Sequence, residues 1–142
     1  MSLSGKLPVE VQQAYDLAKK TRANAYAPYS RFLVGAALKA KKNAQIYCGC
    51  NVENGSYGAT ICAERAAILG AVAQLKDLEI EFLVLITEND PVAVPCGMCL
   101  QVIAEFAKAD TVIYLSHLGG IEKKLTLKEL LPQVFDKSRL PS

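Results

Sequence analysis

From Val9 to Ala25 the apolar residues Val11, Ala14, Tyr15, Leu17 and Ala18 recur at a helical spacing among polar neighbours, which predicts an amphipathic helix. Pro8 suits its first helical position, where a missing N–H is not needed. AYAPYS (25–30) breaks the pattern. FLVGAALK (32–39) and IYCGCNV (46–52) then read as two strands joined through KKNAQ (41–45), and so short a connection predicts an antiparallel hairpin. NGSYGAT (54–60) is loop. ICAERAAILGAVAQL (61–75) is rich in strong helix formers, although Gly70 interrupts it. EFLVLITE (81–88) is a short apolar run suited to a buried strand, and a helix begins after Pro95 and runs to about Lys108. TVIYLSH (111–117) predicts another strand, Gly119-Gly120 a turn, 121–126 a last short strand and 126–132 a final helical turn or two.

A hairpin first and strand–helix alternation afterwards predict an α/β fold, a single-domain mixed β-sheet sandwiched between helices. One domain is expected over 1–142, with a loose tail at 136–142.

Composition narrows the functional classes. Of 142 residues, 51% are apolar and 21% charged, an ordinary globular balance with enough chain to bury a core. No apolar run reaches the roughly 18–20 residues of a membrane span. The start, MSLSGKLPVEV, has no signal-peptide core, so the expected setting is cytoplasmic. Net charge is +2, and the densest basic cluster (Lys39, Lys41, Lys42) reads as a solvated hairpin turn. Without aromatic residues between the cations, nothing points to nucleic acid.

The five cysteines are odd in number and unevenly spaced, which speaks for thiols or metal ligands over a disulfide framework. Cys96 and Cys99 form a C-x-x-C pair where a strand gives way to a helix. There, unpaired N–H groups and the helix dipole lower thiol pKa values, as both a redox couple and a metal site require. Cys62 falls at a second loop-to-helix junction expected on the same sheet edge. Three thiolates are the informative number, because catalytic zinc sites keep a fourth position open while structural ones usually close it. His117, beside the Gly-Gly turn, and Cys48 and Cys50, on one face of a strand, are expected to be structural.

Glu64 and Arg65 follow Cys62 directly. An acidic residue in a first helical turn has an ordinary explanation in the helix dipole. Beside an open zinc position the same carboxylate can move protons between water and substrate. A guanidinium near the thiolates can offset their excess negative charge.

C-A-E-R (62–65) and P-C-G-M-C (95–99), with YSRFLVGAAL (29–38) and NVEN (51–54), resemble the small homotetrameric zinc-dependent cytidine deaminases, and the similarity runs from about residue 25 to 135. The resemblance implies a cytidine deaminase-like three-layer α/β/α fold and one Zn²⁺ per chain on Cys62, Cys96 and Cys99. It implies hydrolytic removal of the 4-amino group of cytidine or 2'-deoxycytidine, as in pyrimidine salvage, with Glu64 as the proton carrier. Asn51 and Glu53 are implied to hold ribose hydroxyls, Phe32 to pack on the base and Ala63 to offer a backbone group to the ring carbonyl. Tyr57 and Phe135 match positions near a neighbouring subunit's site. The family commonly has arginine where this chain has Leu100, while the following Gln101 is retained. That departure leaves more of the thiolate neutralisation to Arg65. Two other readings are a related deaminase of a cytosine-containing antibiotic such as blasticidin S, and a structural zinc protein closed by a fourth ligand.

Overall fold

A computed structural model describes Leu3 and residues 5–142. The chain runs through α1 (Val9–Arg22), β1 (Gly35–Ala40), β2 (Ile46–Cys50), α2 (Ala63–Gln74) and β3 (Ile80–Ile86). It continues through α3 (Gly97–Phe106), β4 (Val112–His117), β5 (Gly120–Thr126) and α4 (Leu127–Leu130). The strands form one mixed sheet in the order β2-β1-β3-β4-β5, parallel only between β3 and β4.

Strand alternation sends successive residues to opposite faces and so builds two apolar layers. Ala36, Leu38, Leu83, Leu85, Ile113 and Leu115 pack with Ala67, Ile68 and Ala71 of α2 and Leu100 and Ile103 of α3. Ala37, Val84, Ile86 and Tyr114 pack on the opposite face with Val11, Ala14, Tyr15 and Ala18 of α1. The result is the expected three-layer α/β/α arrangement.

The differences from the sequence reading have local causes. Pro8 caps α1 from an extended backbone (ψ 141°) and is not its first helical residue. Leu17 lies outside the buried stripe, 39% exposed, because that stripe passes through Val11, Ala14, Tyr15, Ala18 and Arg22. Lys39 is no solvated turn residue: it is buried in β1, where its ammonium meets Glu81 and Glu10. β1 starts at Gly35 instead of residue 32, and β2 stops at Cys50, leaving Val52 in isolated bridges to Tyr26 and Ile61.

Two glycines bring helices close to the sheet. A Cβ at Gly35 would meet the Ala18 carbonyl of α1, and one at Gly49 would meet the Ala63 carbonyl and the Ala67 amide of α2. Both obstacles are backbone, which cannot rotate aside. Gly49→Ala is therefore expected to lower the unfolding free energy by roughly 1–3 kcal/mol, the usual range for overpacking. A urea titration measures this, and an unchanged midpoint would mean that α2 lifts off β2 without cost.

Candidate active site

Two helix starts converge on one side of the sheet. Cys62 is the N-cap of α2, Cys96 is the N-cap of α3, and Cys99 lies in the first turn of α3. The start of α2 is pinned by reciprocal backbone bonds between Val52 and Ile61, at 2.9 and 3.0 Å. The start of α3 is drawn tight by the Cys99 N–H, which donates to the Cys96 sulfur at 3.5 Å. The three Sγ atoms lie within 4.8 Å of one another.

This set fits a zinc ion. Tetrahedral ligation with Zn–S bonds of about 2.3 Å needs sulfurs about 3.8 Å apart. No fourth histidine, cysteine or carboxylate joins the cluster among the described residues. Without a metal the thiols share a proton: a hydrogen bond from Cys99, aided by Arg65, pulls Cys62 down to about 5. The same shared proton, together with burial, pushes Cys99 up.

Arg65 lies against the thiol cluster. Its guanidinium donates to the Cys62 sulfur at 3.3 Å and to the Thr60 carbonyl at 3.4 Å. The bond to Cys62 raises the arginine's own pKa in return. His117 stands apart from the thiols: its Nδ1 accepts from the Gly119 N–H at 2.8 Å and its Nε2 faces Glu122 at 3.4 Å. Cys48 and Cys50 lie outside the cluster, and burial raises both of their pKa values.

Glu64 is 4% exposed, and desolvation pushes its carboxyl up to about 7, with the Cys62 charge adding to the effect. It opens into a cavity of about 240 Å³ that also meets Cys62, Cys96, Ala63, Phe32, Asn51 and Glu53. A cavity of about 370 Å³ lies elsewhere, between α3, α4 and the segment that follows. It is the larger of the two, but none of the thiols lines it. Two of the thiols and the raised carboxyl of Glu64 line the smaller cavity.

The polar wall of the cavity is built around the segment before β1. Residues 32–34 read as strand in the sequence, yet most of their backbone bonds go to side chains. The Leu33 carbonyl accepts from Arg22 Nε at 2.9 Å, and only the Val34 carbonyl takes a backbone N–H, that of Asn51, at 3.3 Å. The Asn51 amide accepts from the Val34 N–H at 2.8 Å and donates to the Phe32 carbonyl at 2.7 Å. Arg31, with φ at 58°, turns the chain just before it. Phe32 is thereby released from the sheet and lies exposed at the mouth of the cavity. Glu53 accepts from the Tyr29 and Ser30 N–H groups at 3.0 and 3.1 Å. Desolvation pushes the Glu53 carboxyl up, but these bonds outweigh it and leave the group below its ordinary value. Ala63 is fully buried at the first position of α2.

Tyr57 (75% exposed) packs edge-on against Tyr29 at 5.6 Å, and Phe135 (57% exposed) offers its carbonyl to the Gln101 side chain at 2.7 Å. Neither lines the cavity within this chain. Leu100 points into the core between α2, α3 and the sheet. Sequence reasoning overlooked Ser30, Thr60, Leu85, Thr87 and Val94, which also line the cavity. None of the five carries a distinguishing signal in the sequence.

Residues 8–116 match the family model described as the cytidine and deoxycytidylate deaminase zinc-binding region. A cytidine deaminase from Sporosarcina psychrophila is 44% identical over 133 residues, covering 93% of this chain and 96% of that protein. A crystal structure of cytidine deaminase from Burkholderia pseudomallei superposes with a TM-score of 0.81 at 36% identity, covering 87% of this chain and 98% of the other. A blasticidin-S deaminase from Bacillus cereus is 31% identical over 112 residues, 74% of this chain and 78% of its own length.

Proposed function

The chain belongs to the cytidine and deoxycytidylate deaminase family, and on that premise we propose that it converts cytidine and 2'-deoxycytidine to uridine and 2'-deoxyuridine, releasing ammonia. It is a zinc-dependent hydrolase that serves pyrimidine salvage. The observation that carries this reading is the joint presence, in one cavity, of a buried carboxyl and two of three clustered thiols.

Cys62, Cys96 and Cys99 hold one zinc ion per chain. Bound zinc supplies the Lewis acidity that makes water nucleophilic near neutral pH. The remaining work falls to the protein. Glu64 takes a proton from the attacking water and gives it to N3 of the ring as the new C–O bond forms at C4. It then assists departure of the 4-amino group as ammonia, so that one water enters and one ammonia leaves. A carboxyl poised at about 7 both accepts and donates near neutral pH. Ala63, as the first helical residue, has an N–H without an intrahelical acceptor, suited to the ring carbonyl. Phe32 packs on the base. Asn51 and Glu53 hold the sugar hydroxyls, and their backbone bonds keep both groups rigid for that task.

The relative that deaminates blasticidin S gives a second reading its basis. The amide and carboxylate at Asn51 and Glu53 favour an unmodified sugar over it. A structural zinc site would require a fourth protein ligand, and the described residues offer none in the cluster. Exposed Tyr57, Phe135, Tyr26 and Tyr29 support assembly into a homotetramer, where Tyr57 and Phe135 reach a neighbour's site. No described helix is long and apolar enough to cross a membrane, and unpaired cysteines at all five positions suit a reducing cytoplasm.

The ultraviolet absorbance of cytidine mixed with the zinc-loaded protein provides the test. The cytidine band is expected to decay, and a strong zinc chelator to stop it. Decay with blasticidin S alone would favour the second reading, and no decay with either would leave only a structural site.

A further inference from the structure

Thr87 follows β3 directly and extends its pairing, donating its N–H to the Ser116 carbonyl at 3.1 Å. Strand alternation puts its side chain on the face of Leu85, toward α2 and α3. The residue is 1% exposed, and its hydroxyl has no hydrogen-bond partner among the described residues. Buried polar groups seldom remain so, and each such group calls for an explanation. Here the residue belongs to the wall of the cavity that holds Glu64.

Position within that cavity decides what the hydroxyl meets. Ser30, Phe32, Val94 and Cys96 are at its exposed rim, whereas Ala63, Glu64, Leu85 and Thr87 are fully buried at its base. A nucleoside must bring its reacting ring to Glu64, so the ring's polar edge reaches the buried end while Phe32 covers its face from the rim. We propose that the Thr87 hydroxyl is a substrate-binding group that hydrogen-bonds the polar edge of the pyrimidine ring. This rests on the nucleoside deaminase reading. The ordinary cost of an unsatisfied hydroxyl in the free protein is recovered when the ligand supplies its partner.

Thr87→Val keeps the shape and deletes the hydroxyl, and Thr87→Ser keeps the hydroxyl. The valine variant is expected to melt no lower than the wild type, since it loses only an unpartnered group. Its kcat/KM should fall roughly three- to tenfold, the net worth of one hydrogen bond, equally for cytidine and 2'-deoxycytidine. Calorimetry should show a matching loss of uridine affinity, and serine should restore both. Should valine pack poorly, Thr87→Ala against Thr87→Ser gives the same contrast. An active wild type matched by Thr87→Val in kcat/KM and uridine affinity overturns this assignment alone. A penalty confined to cytidine overturns the placement on the ring. A zinc-loaded wild type that leaves cytidine unchanged overturns the deaminase reading and this one together.

Discussion

Glu64→Ala is expected to yield a folded protein with its full zinc content and almost no turnover of cytidine. The loss should exceed the roughly 10²–10⁴-fold that a single general acid–base group contributes. The excess is expected because in the proposed reaction one carboxyl serves successive proton transfers: from water, to the ring nitrogen and toward the departing amine. Burial makes this possible, for Glu64 sits at about 7 instead of in the ordinary carboxylate range.

Stability should not follow activity. Alanine is the best helix former, and removing a carboxyl from a buried position relieves a desolvation cost. Glu64 is also not one of the clustered thiols, so zinc should remain. Steady-state kinetics and metal analysis on the same sample check both halves. Near-normal turnover in the variant would remove Glu64 from the mechanism, and lost zinc would make its role structural.

The layers of the fold were legible because α/β alternation is written in apolar periodicity. The metal centre was legible for a different reason: thiols at two helix starts carry information in their local context as well as in their spacing. What periodicity misreads is the segment at residues 32–34. Its apolar run looks like strand, but most backbone partners there are side chains: the two ends of the Asn51 amide, seventeen residues or more away in sequence, and the Arg22 guanidinium on the Leu33 carbonyl. A side chain that substitutes for a neighbouring strand leaves no periodic trace. Asn51 was singled out for sugar binding, yet it also shapes the loop that presents Phe32. Lys39 shows the converse error, since a cation in a charged cluster reads as exposed until its partners Glu81 and Glu10 appear across the sheet and from α1. Thr87 was hidden for a third reason: a threonine at a strand end is ordinary, and only the missing partner of its hydroxyl sets it apart.

Cys99→Ala is expected to lose the zinc itself, and with it all measurable deamination. Cys99 is the deepest of the three thiols, fully buried, while Cys96 is exposed and Cys62 half-buried. It is also the proton donor that draws Cys62 down toward the thiolate. Alanine removes one of only three sulfur ligands outright, and in the metal-free protein it also removes the group that favours the Cys62 thiolate. Losing a supporting contact around a metal costs roughly 10–100-fold in affinity. Losing a ligand from a three-thiolate site should cost more than that, leaving the two remaining sulfurs unable to hold zinc against a moderate chelator. Cys50→Ala is the matched control, because Cys50 lies outside the cluster and should keep one zinc per chain. Metal analysis after dialysis separates the two variants. If Cys99→Ala retained one zinc with wild-type affinity, the three-thiolate centre would be wrong. With Glu64→Ala active in zinc binding but not in catalysis, and Cys99→Ala in neither, the two variants together divide the site into the residues that hold the metal and the one that moves the protons.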